Sequence, residues 1–134
     1  MAMISKVIRI TLAVRDQEEA FRFYTEILGL EKRADSPMGP GRRWLTVAPK
    51  DQKDLEIVLQ PSTWFEGPER ERHAALVGKN PTLVFSVDNC RQTHVLLRSR
   101  GVKFESAPEE QPYGIQAVAK DLYGNDLVLL EPHG

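Results

Sequence analysis

Hydrophobic and polar residues alternate along the first apolar segment of the chain. In residues 8–14, β-branched or aliphatic side chains alternate with Arg9, Thr11 and Ala13. A period of two is typical of a strand whose two faces have different surroundings. The segment is therefore predicted to be a strand. The long cation Arg9 lies either on a solvated face of it or in a polar site.

A helical pattern follows the first strand. Asp16, with Glu19 three residues later, has the spacing of an N-terminal capping box, and Gly29 supplies a C-terminal stop. The apolar residues between them recur at helical spacing: Ala20, Phe23, Tyr24, Ile27 and Leu28. The sequence therefore predicts one helix between Asp16 and Gly29.

Three further strands are predicted in the first half of the chain. The segments "RWLTVAP" and "DLEIVLQP" each end in a proline, which cannot donate a backbone hydrogen bond to a sheet. An extra strand is predicted near Leu30 to Arg33, and "MGPGRR" is predicted to be a turn with surface cations.

The second half of the chain repeats this order. "PTLVFSVDNCRQTHVLLRSRGVKF" is again an alternating strand, an Asp/Asn cap, a helix and a glycine stop, and "DLVLLEP" repeats "DLEIVLQP". The fold class is therefore α+β, with two tandem βαβββ modules at about residues 5–61 and 81–132 and a polar link at about 62–80. A short helix is predicted around residues 69–77. Two modules are too few for a solenoid, so they are expected to pair around one central cavity.

Composition narrows the classes of function. The chain has 134 residues, which suits one domain, with 18 basic and 19 acidic side chains. This balance predicts neither a nucleic-acid partner nor a membrane partner. No apolar run is long enough for a membrane span or resembles a secretory signal, so a cytoplasmic protein is expected. Cys90 is the only cysteine and is predicted to be a structural thiol.

The motifs resemble those of a known superfamily. "VRDQEEAFRFYTEILGLEKR", "LVFSVDN" and "KDLYGNDLVLLEP" are similar to segments of the vicinal oxygen chelate superfamily of glyoxalases, extradiol dioxygenases and bleomycin resistance proteins. The resemblance covers nearly the whole chain, as a single domain of that type. It implies an incomplete barrel around the central cavity and a twofold homodimer, but no particular activity.

The resemblance also implies four positions for metal ligands. In metal-dependent members the first and last strands of each module supply them, and here these positions hold Arg9, Glu56, Thr82 and Val128. Arg9 and Val128 have no lone pair to give, and a neutral Thr82 hydroxyl is a poor ligand. Three of the four positions are therefore unsuitable, and neither a metal nor another cofactor is expected.

The three histidines do not replace those ligands. His73 falls in the link, His94 in the second helix and His133 near the end of the sequence. They share neither a strand face nor a metal-ligand spacing, so each is interpreted as a surface or partly packed residue.

Under the resemblance, alternate residues of the strands face the cavity. Arg9, Thr11 and Ala13 then face it, whereas Ile8, Ile10, Leu12 and Val14 pack under the helices. The ligand-binding candidates are Arg9, Thr11, Trp44, Glu56, Gln60, Thr82, Tyr113 and Val128. Trp44 and Tyr113 are either stacking surfaces for a ligand or ordinary core residues.

These observations favour a metal-independent binder of a small organic molecule in the cavity. The alternative is a divalent-metal-dependent lyase or dioxygenase of the glyoxalase type, and a structural or regulatory module is a third class. The sequence leaves open the ligand, any catalysis, and whether the cavity lies within one chain or is shared across a swapped dimer.

A last expectation concerns Arg9 and Glu56. If both are buried, each charge needs a partner, and an ion pair between them would replace the charge of a metal ion. Removing either partner of such a buried pair costs about 3–5 kcal/mol. The alternative is an Arg9 that points into water.

Overall fold

Each half of the chain folds as a four-stranded sheet with its own helices. The computed structural model describes residues 3–133 and contains two compact units, one up to Leu76 and the other from Val77. No helix within residues 3–133 is long and apolar enough to cross a membrane.

The first unit contains four strands. They are β1 (Arg9–Val14), β2 (Glu31–Pro37), β3 (Arg43–Ala48) and β4 (Glu56–Pro61). Their order in the sheet is β1-β4-β3-β2, and β1 runs parallel to β4 whereas the other neighbours are antiparallel. This unit also holds helix α1 (Gln17–Arg22), a π-helical turn (Phe23–Ile27), a 3-10 turn (Ser62–Trp64) and helix α2 (Pro68–Ala74).

The ends of the first helical segment confirm the predicted signals. The Asp16 carboxylate accepts a hydrogen bond from the backbone N–H of Glu19 at 2.9 Å. Gly29 has a φ of 83°, a conformation that glycine adopts without steric cost. Between them the α-helix gives way to wider π-helical bonds, such as Leu28 N–H to Phe23 O at 3.1 Å. Ala20 and Tyr24 are both buried at α-helical spacing although Tyr24 lies in the π-helical turn, so apolar spacing alone does not distinguish the two helix types here.

The core of the first unit lies between α1 and its sheet. Six sheet residues on this side are almost fully buried, together with Ala20 and Tyr24: Leu12, Val14, Leu45, Val47, Ile57 and Leu59. The prediction for Ile8 and Ile10 was wrong, since they are 49% and 37% exposed. Helix α1 packs on β3 and β4 and helix α2 contacts β1, but the first three residues of β1 remain exposed.

The second unit repeats the arrangement. It contains β5 (Leu83–Ser86), α3 (Cys90–Ser99), β6 (Lys103–Gln111), β7 (Gly114–Lys120) and β8 (Asp126–Pro132). The sheet order is β5-β8-β7-β6, and β5 is parallel to β8. The Asn89 side chain caps α3 by accepting from Gln92 N–H, and Gly101 ends the helix with a φ of 89°.

The order of elements confirms the α+β class and the two βαβββ modules. The link helix is α2, which begins at Pro68, ends at Ala74 and belongs to the first unit. The segment "EEQPYGIQ" forms a tight hairpin turn between β6 and β7, with Gln111 opposite Gly114. The central cavity stays a prediction.

Candidate ligand-binding site

The parallel pairing of β1 and β4 places Arg9 directly opposite Glu56. Arg9 Nη2 lies 3.4 Å from Glu56 Oε1, so the two side chains form the predicted ion pair. The pair is not buried as expected, because 49% of the Arg9 side chain and 25% of the Glu56 side chain are exposed. Water therefore screens part of the attraction.

A buried hydroxyl fixes the orientation of Glu56. Thr46, on β3, is fully buried and its Oγ–H donates to Glu56 Oε2 at 2.6 Å. One carboxylate oxygen therefore faces Arg9 and the other faces Thr46. A carboxylate held at both oxygens presents a fixed negative edge, and it orients the guanidinium in turn.

Two tryptophans extend this polar group with an apolar surface. The Arg9 guanidinium carbon lies 5.6 Å from the centre of the Trp44 ring, within the range of a cation–π contact. Trp44 stacks on Trp64, with ring centroids 6.2 Å apart and planes inclined by 15°. We refer to Arg9, Trp44, Thr46, Glu56 and Trp64 as the aromatic–ionic cluster.

Two more candidates share this face of the sheet. The register pairs Thr11 with Val58 and Ala13 with Gln60, so Thr11 and Gln60 lie on the same side as Arg9 and Glu56. Within residues 3–133, no protein group hydrogen bonds with the Gln60 side chain amide. Its donors and acceptor are available to a ligand on this face.

The candidates of the second unit do not form a comparable cluster. Val128 is in the middle of β8, opposite Val84 and Val118, and Thr82 lies exposed just before β5. Tyr113 is in the β6–β7 turn, 53% exposed, and its hydroxyl is 3.0 Å from Gln116 Oε1. Tyr113 is thus not a core residue.

The donor set on these faces does not fit a divalent cation. A metal ion bound by Glu56 would need a second ligand from the opposite position on β1, and that position holds Arg9. A guanidinium has no lone pair to coordinate a metal. Within the described residues, no three His, Cys, Asp or Glu side chains are grouped to hold a metal ion.

Histidine and cysteine side chains have structural contacts elsewhere. His73 stacks on Phe65 at 3.7 Å between ring centroids, and His94 meets the ring of Phe104 edge-on at 4.4 Å. Cys90 is fully buried and its Sγ is 3.5 Å from Leu129 O. Desolvation, with the nearby Glu131 charge second, raises the pKa of the Cys90 thiol, which keeps it protonated and supports the structural role.

Two residues of the aromatic–ionic cluster were not among the sequence candidates. Thr46 follows Trp44 by two positions in a strand, so its shared face could have been read from the alternation. Trp64 lies in the polar link, where no periodicity indicates which way a side chain points. Only the three-dimensional structure identifies it.

Comparison with known proteins decides the family. The family model described as "Glyoxalase/Bleomycin resistance protein/Dioxygenase superfamily" matches residues 6–129. The chain belongs to this superfamily. The resemblance of its motifs is thereby confirmed, and the solved structures of the superfamily share its α+β fold.

Several superfamily relatives match over almost their whole length. The protein YetH of Bacillus subtilis is 31% identical over 96% of this chain and 100% of its own. The crystal structure of UcmS2 has a TM-score of 0.84 and 36% identity, with 96% of this chain and 99% of that chain covered. TnmS3 from Streptomyces sp. CB03234, described as an antibiotic-binding protein, has a TM-score of 0.77 and 34% identity, with 99% and 100% covered.

Proposed function

We propose that this protein binds a small organic molecule at the aromatic–ionic cluster, on the Arg9–Glu56 face of the first unit's sheet, without a catalytic metal. The observation that carries the proposal is the Arg9–Glu56 ion pair. It places a fixed positive charge at a position that metal-dependent relatives are expected to use for a ligand. A guanidinium supplies charge and directed donors there, but no open coordination position.

The cluster favours a ligand with an anionic or carbonyl head and an apolar body. Glu56 Oε1 lies 3.4 Å from Arg9 Nη2, and 49% of the Arg9 side chain is exposed. A guanidinium has five N–H groups, so it retains donors for a ligand. The Gln60 amide adds a second polar group on the same face. Trp44 and Trp64 offer an apolar surface for the body of the ligand. The antibiotic-binding relative TnmS3 supports binding as the function.

The test combines metal analysis with a thermal-shift screen. The purified protein, treated with a chelator, is screened against small anions, quinones and drugs. A ligand at about 100 times its Kd stabilises the folded state by roughly 2.7 kcal/mol, which raises the melting temperature measurably. We expect stabilising compounds for the metal-free protein.

Variants locate the binding site. Arg9→Gln and Trp44→Ala should remove the thermal shift, whereas Arg42→Gln, in the exposed turn before β3, should retain it. About one divalent metal ion per chain, together with loss of every shift after chelation, would contradict the proposal. That outcome would favour a metal-dependent lyase or dioxygenase of the glyoxalase type.

A further inference from the structure

A groove runs between α3 and the edge strand β6 in the second unit. Its volume is about 630 Å³, which lies within the range of small-molecule sites. Its walls come from the C-terminal half of the helix and the first part of the strand. The lining residues that matter for recognition are His94, Arg98, Lys103, Phe104, Glu105 and Ser106.

Two cations in this groove have no anionic partner among the residues that the structure describes. Arg98 and Lys103 line it from the helix and the strand, and neither forms an ion pair within residues 3–133. The acidic lining residue, Glu105, lies 3.5 Å from Lys120 Nζ, which it shares with Asp126, so among the lining residues two cations face one acid. The local balance is therefore positive and suits an anion.

The groove also has an aromatic wall. The His94 ring meets Phe104 at 83° between planes, so the two rings form a continuous surface. Desolvation, and then the positive charge of Arg98, lowers the pKa of His94, which favours a neutral imidazole. Ser106 Oγ accepts from Val118 N–H at 3.2 Å, which leaves its own proton free to donate to a ligand.

We propose that this groove binds a small organic carboxylate that carries an aromatic or branched apolar group. The carboxylate is held by Arg98 and Lys103, and the apolar group packs on Phe104 and His94. An organic carboxylate supplies both the negative charge and the apolar group, whereas an inorganic anion leaves the rings unused. The inference rests on the second unit alone and does not depend on the function proposed for the first.

Benzoate is a suitable probe, and the side chain of His94 is the reporter in NMR titrations. The charged groups facing His94 are Arg98 from its own helix and Lys103 and Glu105 from β6. A bound carboxylate offsets the charge of Arg98, so benzoate should raise the pKa of His94. The ring resonances of His73 and His133, which do not line the groove, should not respond to benzoate.

Two ligands that match benzoate in part separate the contribution of its charge from that of its ring. Benzyl alcohol keeps the ring without the charge and should leave the pKa of His94 unchanged. Acetate keeps the charge without the ring and should bind about 10-fold more weakly than benzoate, as expected for one lost apolar contact surface. Equal affinity for benzoate and benzyl alcohol would overturn the proposal.

Matched variants test the two cations. Arg98→Gln and Lys103→Gln should each weaken benzoate about 10-fold, the typical effect of one lost charge-assisted hydrogen bond. Arg91→Gln on the same helix, outside the groove lining, should have no effect. If benzoate leaves the pKa of His94 unmoved in the parent protein, or binds the folded Arg98→Gln variant as tightly, the groove is not a carboxylate site.

Discussion

Arg9 and Glu56 lie directly opposite each other on neighbouring parallel strands, and Arg9 Nη2 is 3.4 Å from Glu56 Oε1. The two partners differ in their surroundings. Arg9 can turn to water, whereas Glu56 also accepts a hydrogen bond from the buried Thr46 hydroxyl. Removing one partner therefore has different consequences from removing the other.

The first prediction concerns the stability of variants of this pair. Arg9→Ala should lower the free energy of unfolding by less than about 1 kcal/mol, as for a partly exposed ion pair. Glu56→Ala should lower it by about 1–3 kcal/mol, because the buried Thr46 hydroxyl loses its acceptor. Urea denaturation measures both. Glu56→Gln retains an acceptor for Thr46 and should lie between them, and equal losses for the two alanine variants would argue against this geometry.

A second prediction concerns the stack of Trp44 and Trp64. Their rings are nearly parallel, and such aromatic pairs contribute about 0.5–1.5 kcal/mol beyond their burial. A double-mutant cycle of Trp44→Ala and Trp64→Ala should show a coupling energy in this range. Trp44→Phe keeps a ring at the position and should retain part of it. Strict additivity of the two alanine substitutions would mean that the stack is absent in solution.

The third prediction is a loss of stability in acid that depends on Arg43. Its guanidinium contacts both carboxylate oxygens of Asp35, at 2.8 and 2.9 Å, and one of Glu18, at 2.8 Å. These hydrogen bonds lower the pKa of Asp35 and of Glu18 from their ordinary values of 3.8 and 4.5. A carboxyl group with a lowered pKa stabilises the fold above its ordinary pKa, and this stabilisation is lost as the pH falls through the lowered value.

Urea midpoints measured from about pH 6 down to about pH 2 test this dependence. The parent protein should lose stability steadily below the ordinary pKa values of the two carboxyl groups. Arg43→Gln should be less stable near neutral pH and should show a flatter profile in acid. Arg42→Gln changes the neighbouring exposed cation and should keep the profile of the parent.

The fourth prediction is that the protein is a homodimer. Strand β1 is at an edge of its sheet. It exposes Ile10, and Val7 and Ile8 just before it are exposed too; exposed edges with apolar side chains favour association. Light scattering should give a mass near twice the 15.2 kDa of one chain. Ile8→Lys combined with Ile10→Lys should shift the mass toward the monomer, whereas Leu76→Lys, outside the strand, should not. A mass of one chain for the parent at micromolar concentration would refute the dimer.

The sequence predicted the fold of each unit because its signals are local. Asp16 and Gly29 mark the ends of a helical segment by capping chemistry that involves only a few neighbouring residues. The internal repeat then predicts the second unit from the first. Strand β2 was predicted too short, since it runs from Glu31 to Pro37 around a bulge at Arg33. The Arg33 guanidinium bonds to backbone carbonyls of the β3–β4 loop, a contact that no local pattern indicates.

The candidate site was predicted less completely. Alternation along each strand places Arg9, Thr11, Glu56 and Gln60 on one face, because strand parity is a property of the backbone. The exposure of Arg9 depends on whether another element covers the start of β1, which strand parity does not specify. Trp64 reaches the site from the link, and its stacking partner is 20 positions away in the sequence.

The pairing of each unit's first strand with its final strand sets an order for folding during synthesis. Arg9 lies opposite Glu56, 47 positions later, and β5 likewise pairs with β8. Closing such a long loop costs more entropy than forming the hairpins between them. On the ribosome the antiparallel strands can pair as they emerge, while the first strand stays unpaired with its apolar side chains exposed to solvent. The strand that is synthesised first in each unit therefore joins the sheet only after the strand that is synthesised last has emerged.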